Sequence, residues 1–200
     1  MKKSTFRTIE VAGIDAALRA LRLPHNGEPY SRLHSNFLVT QKENRTVDYS
    51  CHTNGYVDER DIQLMQKLQI AGDHHAKVLR GIIAWVEIEA PIYFKWDLDT
   101  YAVGHTRLCS GSTMHTECKG LYGEKLQEVK GEIPFGRMIK SVDCYSYQAL
   151  RRIVYQRHNH RLPEFGQMIE WIHTLPFAEE LIFYRLSKEN GDPQLPKLNK

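Results

Sequence analysis

Arg107, Ser110, Ser112 and Thr113 lie within one short polar segment, "YAVGHTRLCSGSTMHTEC", which runs from Tyr101 to Cys118. A guanidinium presents a planar fork of donors to a phosphate, and hydroxyls around it can complete the cradle. The same composition suits a solvated turn, because Gly, Ser and Thr favour turns for conformational reasons. A further cation, Arg157, closes the stretch "LRRIVYQR". It reads either as a ligand for a phosphate or base oxygen, or as a surface arginine with its stem laid over apolar neighbours. Arg151 and Arg152 read as solvated charge. His74, His75, Lys77 and Arg80 form a basic run that could meet a cofactor diphosphate or be a charged helix face.

Other chemistries fit less well. His105, Cys109, His115 and Cys118 are all good zinc ligands, but the spacing H-x3-C-x5-H-x2-C matches no standard zinc motif, and no metal is expected. "HNH" at 158–160 is a crowded string at a helix end, where histidines cap carbonyls and answer the dipole. The sequence contains no G-x-S-x-G elbow, no Walker loop and no G-x-G-x-x-G.

The elements that must position these residues are partly legible. "TFRTIEVAG" alternates imperfectly through Phe6, Ile9 and Val11 and predicts a first strand, and "IDAALRALRLP" predicts a helix stopped by Pro24. "NFLVT" and "RTVDYS", separated by "QKEN", predict a hairpin or a long variable loop in the polar region 25–57. "DERDIQLMQKLQIAG" predicts a helix over 60–71, with acidic residues at its start and Gly72 as its stop. "GIIAWVEIEAP" predicts a core strand over 82–89, with Ile83 and Trp85 buried and Glu87 and Glu89 solvated or paired.

Pro91 opens a helix through "PIYFKWDLDTYAVG". The glycine-rich region 104–132 reads as polar loop. "SVDCYSYQALRRIVYQRHNH" predicts one long helix, over 144–158 at its core, and two more helices open near Pro163 and Pro176. Strands and longer helices without βα alternation indicate α+β: a small antiparallel or mixed sheet packed against long helices. Residues 1–185 are expected to form a single α+β domain and 186–200 a flexible tail.

At 200 residues with 42% hydrophobic and 26% charged residues, the composition is that of an ordinary globular protein. A formal net charge of +3 is too weak to suggest nucleic-acid binding, and no run is long and apolar enough for a membrane span. The start "MKKSTFRTIEVAG" lacks the apolar core of a signal peptide, and four scattered cysteines without CxxC spacing suit a reduced, cytoplasmic setting.

In order, "LMQKLQIAG", "WVEIEAPIYF", "CSGS" and "LRRIVYQR" resemble segments of the flavin-dependent thymidylate synthases, over roughly residues 60–172. The longer run from "HHAKVLRG" to "IEWIHTLP" resembles a divergent, phage- or prophage-type branch of that superfamily. The family's Arg-His-Arg motif falls on Thr100, Tyr101 and Ala102. Its loop Asn-Glu falls on Arg107 and Leu108, its serine and neighbour on Ser110 and Gly111, and its Arg-Tyr on Ser112 and Thr113.

The resemblance implies FAD at a subunit interface, reduced by NADPH, and transfer of a one-carbon unit from methylenetetrahydrofolate to deoxyuridine monophosphate. It makes Arg157 the catalytic, base-polarising arginine. Arg107, Ser110, Gly111, Ser112, Thr113 and Arg157 become the nucleotide contacts, and His74, His75, Lys77, Arg80 and Tyr101 the cofactor contacts. A homo-oligomer is implied, a dimer or tetramer, with Tyr93, Phe94 and Trp96 suited to its interface core. The alternative is a catalytically degenerate protein of the same fold, a phage or prophage accessory protein that binds a nucleotide or a partner.

Overall fold

Every second residue from Ile82 to Ala90 is apolar, and all five side chains of that row (Ile82, Ala84, Val86, Ile88 and Ala90) are fully buried. This row is the floor on which the rest of the chain is built. The structure is a computed structural model, and it describes residues 3–32, 37–41, 47–50 and 56–184. Its strands are β1 (Thr5–Ala12), β2 (Phe37–Gln41), β3 (Val47–Ser50), β4 (Ile83–Pro91), β5 (His105–Ser110) and β6 (Met138–Ser146). Its helices are α1 (Ile14–Arg22), α2 (Glu59–Ile70), α3 (Ile92–Asp99), α4 (Gly123–Glu132), α5 (Tyr147–Arg157) and α6 (Pro163–Ile172). The strands form one antiparallel sheet in the order β3-β2-β1-β4-β6-β5. The fold is α+β, as the sequence predicts, and the described parts of the expected hairpin, β2 and β3, pair as adjacent antiparallel strands.

One face of the sheet carries the core. Phe6 on β1 stacks on Trp171 of α6, and the Trp171 indole donates to the Thr8 hydroxyl at 2.8 Å. Phe94 of α3 meets Phe165 of α6 edge to face, and the Tyr147 hydroxyl donates to the Pro176 carbonyl at 2.7 Å. A bulge between Thr8 and Glu10 explains the imperfect alternation of β1: Ile9 turns outward, which returns Val11 to the core. Gly13, at φ +91°, joins β1 to α1, and a Cβ there would strike the Gly81 carbonyl.

Several expectations are corrected. Ile83 and Trp85 are half-buried and share their face with Glu87 and Glu89, because the unbroken apolar row of β4 is the alternate one. The single long helix from Ser141 is instead strand β6 followed by α5. The break falls at Ser146, whose hydroxyl accepts from the Ala149 amide at 3.2 Å and caps the helix. The polar region 104–132 is not all loop: it holds edge strand β5 and helix α4. Among the described residues after Pro176, the helical segment is a short π-helical turn, Glu179–Phe183. Phe94 belongs to the core rather than to an exposed aromatic surface, while Trp96 beside it is 63% exposed. The expected tail, 186–200, lies outside the described residues.

Candidate functional site

The inward side chains of β6 are Ser141, Asp143 and Tyr145, all buried, and they meet α3 and β5 in a closed polar network. Lys95, on the buried side of α3, donates from Nζ to the Ile88 carbonyl at 3.1 Å and to the Ser141 hydroxyl. Ser141 donates in turn to Asp143 Oδ1. Asp143 Oδ2 is met by His105 Nε2 at 2.8 Å and Arg107 Nε at 3.3 Å. The remaining guanidinium nitrogens of Arg107 reach Asp99 Oδ2 at 3.0 Å and the Lys95 carbonyl at 3.3 Å. The ring of His105 lies stacked on Tyr145, centroids 4.3 Å apart.

Two cations thus face two carboxylates at the junction of α3, β5 and β6. Burial pushes Lys95 down to about 8, partly opposed by the charge of Asp143. Burial alone would push the Asp143 carboxyl up, but hydrogen bonds from His105 and Ser141 and the charges of Lys95 and Arg107 outweigh it and hold the group below its ordinary range. Burial raises the Tyr145 phenol well above its ordinary value, and its oxygen has no hydrogen-bond partner among the described residues. The network ties the edge strand to the sheet and fixes Arg107 from both ends.

The nucleotide residues read from the sequence are divided between two places. Ser110 and Gly111 line a shallow hollow of about 250 Å³ with Glu87, Cys109, Lys140 and Val142, on the sheet face opposite the core. Beyond it the chain folds into consecutive turns. There the Ser112 hydroxyl accepts from the Met114 amide at 3.1 Å, and buried Thr113 accepts from Lys130 Nζ at 2.5 Å. Arg157, at the last turn of α5, donates from Nε to the Tyr101 hydroxyl at 2.7 Å, and its guanidinium lies over the Phe165 ring at 5.1 Å. Ser110 is five residues along β5 from His105, about 17 Å in an extended strand. The hollow and Arg157 share no contact residue.

His74, His75, Lys77 and Arg80 stand exposed between α2 and β4, with Arg80 Nε bonded to Gln148 Oε1 at 2.7 Å. Their donors suit a diphosphate. Tyr101 is 5% exposed and its hydroxyl accepts from Arg157, so little of its ring is open to a ligand. Gly104, at φ +83°, lets the chain pass beside Ser146 where a Cβ would strike the hydroxyl, and so places Tyr101 and His105 on either side of the turn. Of the four zinc candidates, His105 is engaged by Asp143, Cys118 is buried, and Cys109 and His115 are exposed.

The buried network escaped sequence reading, since a lysine within "PIYFKWDL" and alternating polar residues in "SVDCYS" carry no apolar period. The signal lay in their spacing: Lys95 falls with Pro91, Phe94 and Leu98 on one helix face, and Ser141, Asp143 and Tyr145 alternate. Arg151 is a correction. It is 6% exposed and ion-paired with Asp73 rather than solvated.

Comparison by sequence finds no matching family model and no matching curated protein. Comparison by fold does find similar structures. The chain is similar to the flavin-dependent thymidylate synthase ThyX of Helicobacter pylori, in a crystal structure complexed with FAD and dUMP, at a TM-score of 0.59 and 12% identity. That match covers 88% of this chain and 97% of the other. A second Helicobacter pylori ThyX structure with FAD and dUMP gives a TM-score of 0.61 at 12% identity, covering 90% of this chain and 97% of the other. The fold is therefore that of the flavin-dependent thymidylate synthases, from near one end of that chain to the other.

Proposed function

We propose that this chain is a flavin-dependent thymidylate synthase-like protein that binds a pyrimidine nucleotide such as deoxyuridine monophosphate, with FAD as its cofactor, at a site assembled between copies. The observation that carries this reading is the agreement of fold with segment order: the shared fold extends over nearly the whole ThyX chain. In the segment order Arg157 matches the family's nucleotide arginine, and in the structure its Nε donates to the Tyr101 hydroxyl. In this reading Arg157 grips the base or phosphate, Ser110 and Gly111 border the nucleotide, and the basic run from His74 to Arg80 meets the cofactor diphosphate. FAD, when bound, would supply the redox chemistry of the transfer.

That Arg157 and the hollow at Ser110 and Gly111 share no contact residue supports assembly between copies. So does the exposed edge-to-face pair of Trp96 and Phe135, centroids 4.6 Å apart. A second reading, a protein of the same fold that binds a nucleotide without completing the transfer, is favoured by a specific observation. Arg107 is fully occupied by Asp143, Asp99 and the Lys95 carbonyl, and Thr100, Tyr101 and Ala102 replace the family's Arg-His-Arg. Calorimetric titration with deoxyuridine monophosphate, with and without FAD, tests the proposal. Binding of both ligands supports the first reading, binding of the nucleotide alone the second, and binding of neither contradicts both.

A further inference from the structure

The largest departure from sequence expectation at α5 is Arg151, and it opens onto a cavity that the proposed nucleotide site does not use. A pocket of about 260 Å³ lies between α5, the loop after α2 and the π-helical turn, lined among others by Asp73, Gln148, Arg151, Arg152, Tyr155 and Ile182. At about 100° per residue, Gln148, Arg151, Arg152 and Tyr155 share one face of α5, and Arg157 points to the opposite side.

The walls are held in place. Arg151 is buried and paired with Asp73. Gln148, itself 5% exposed, donates from Nε2 to the Asp73 carbonyl at 3.3 Å and accepts from Arg80 Nε at 2.7 Å. Arg152 is half-buried, lines the pocket and has no salt-bridge or hydrogen-bond partner among the described residues. Among the described lining residues two guanidinium groups therefore stand against one carboxylate, with the Arg80 cation directly behind Gln148. Val154 and Ile182 supply an apolar wall.

We propose that this pocket binds a small phosphate monoester, with its phosphate on Arg152 and Arg151 and its compact body against Tyr155 and Ile182. A planar fork held by packing loses little freedom on gripping a phosphate, and the excess positive charge favours a dianion. The cavity falls just below the size range of sites for drug-sized molecules, which suits a sugar phosphate. The inference does not rest on the proposed nucleotide function, since no residue lining the pocket belongs to that site, and Arg80, assigned above to the cofactor run, only braces the wall through Gln148.

The test titrates the full chain with ribose 5-phosphate, inorganic phosphate and ribose at millimolar concentration, following thermal unfolding and calorimetric heat. Ribose 5-phosphate is expected to bind and to raise the unfolding temperature, inorganic phosphate to bind more weakly, and ribose not to bind. Arg152→Ala removes a side chain without a partner among the described residues, so the fold stays intact and affinity for ribose 5-phosphate falls by about tenfold or more. Arg157→Ala leaves that affinity unchanged. The proposal is overturned if the wild-type chain does not respond to ribose 5-phosphate, if sodium chloride at equal ionic strength gives the same shift, or if Arg152→Ala binds as well as wild type. Loss of binding in Arg157→Ala in place of Arg152→Ala also overturns it, and would assign the phosphate to the other site.

Discussion

Arg157 and Lys95 are both cations set among aromatic and apolar neighbours, but they have opposite prospects. Arg157 keeps its guanidinium at the edge of the fold, held through Nε by Tyr101, with its remaining donors available to a ligand. If it grips a pyrimidine nucleotide, Arg157→Ala weakens deoxyuridine monophosphate binding by about 1.5–3 kcal/mol, the value of a charged hydrogen bond. Arg157→Lys fails as well, because an ammonium lacks the planar fork. Exposed Arg161 serves as the control, and calorimetry of the three variants decides the assignment.

Lys95 is buried and spends its donors inside the protein. Its folded value of about 8 lies below the ordinary 10.5, so between those limits the unfolded chain holds more protons than the folded one and stability rises with pH. Relative to Lys95→Met, the wild-type protein gains roughly 1.5–2 kcal/mol between pH of about 7.5 and about 9.5. The raised Tyr145 phenol works against stability only above the ordinary tyrosine range, and Asp143 loses its contribution only as pH falls through its low folded value. Urea unfolding of both proteins across this window measures the slope, and a flat difference contradicts the burial argument.

At the scale of elements, apolar period accounts for what the sequence reveals and for what it hides. α1, α2, α3 and α6 are legible because their caps, prolines and apolar stripes agree. β6 is hidden because its inward row is Ser141, Asp143 and Tyr145, so the hydrophobic pattern begins only at Tyr147 and suggests that the helix starts earlier. β5 is hidden because an edge strand with most side chains in solvent has little to bury, and its arginine and histidine look like loop residues. Arg107 and Ser110 were visible as residue types, but the partners that occupy Arg107 were not. β4 carries the sharpest energetic test. Ile88→Ala costs about 2–5 kcal/mol by leaving a cavity in the core. Ile83→Ala, on the opposite face of the same strand, costs less than half as much. Equal losses in chemical denaturation contradict the assigned phase of the strand.

For the whole molecule, the sheet has one face on the core and one that leaves Ile83, Trp85, Val142 and Cys144 half-exposed, with Trp96 and Phe135 exposed near the start of β6. A site shared between copies requires a closed oligomer, a dimer or tetramer. Analytical ultracentrifugation at micromolar concentration is expected to report one of these, and Trp96→Glu or Phe135→Glu to shift it toward the monomer. A monomeric wild type removes the shared site.

The proposed flavin and nucleotide site is tested most directly by the visible absorbance of the purified protein titrated with FAD and then with deoxyuridine monophosphate. The flavin band is expected to shift and sharpen on addition of the protein, to stay with the protein through gel filtration, and to change again when the nucleotide is added. A spectrum identical to that of free FAD, with all flavin eluting apart from the protein, contradicts it.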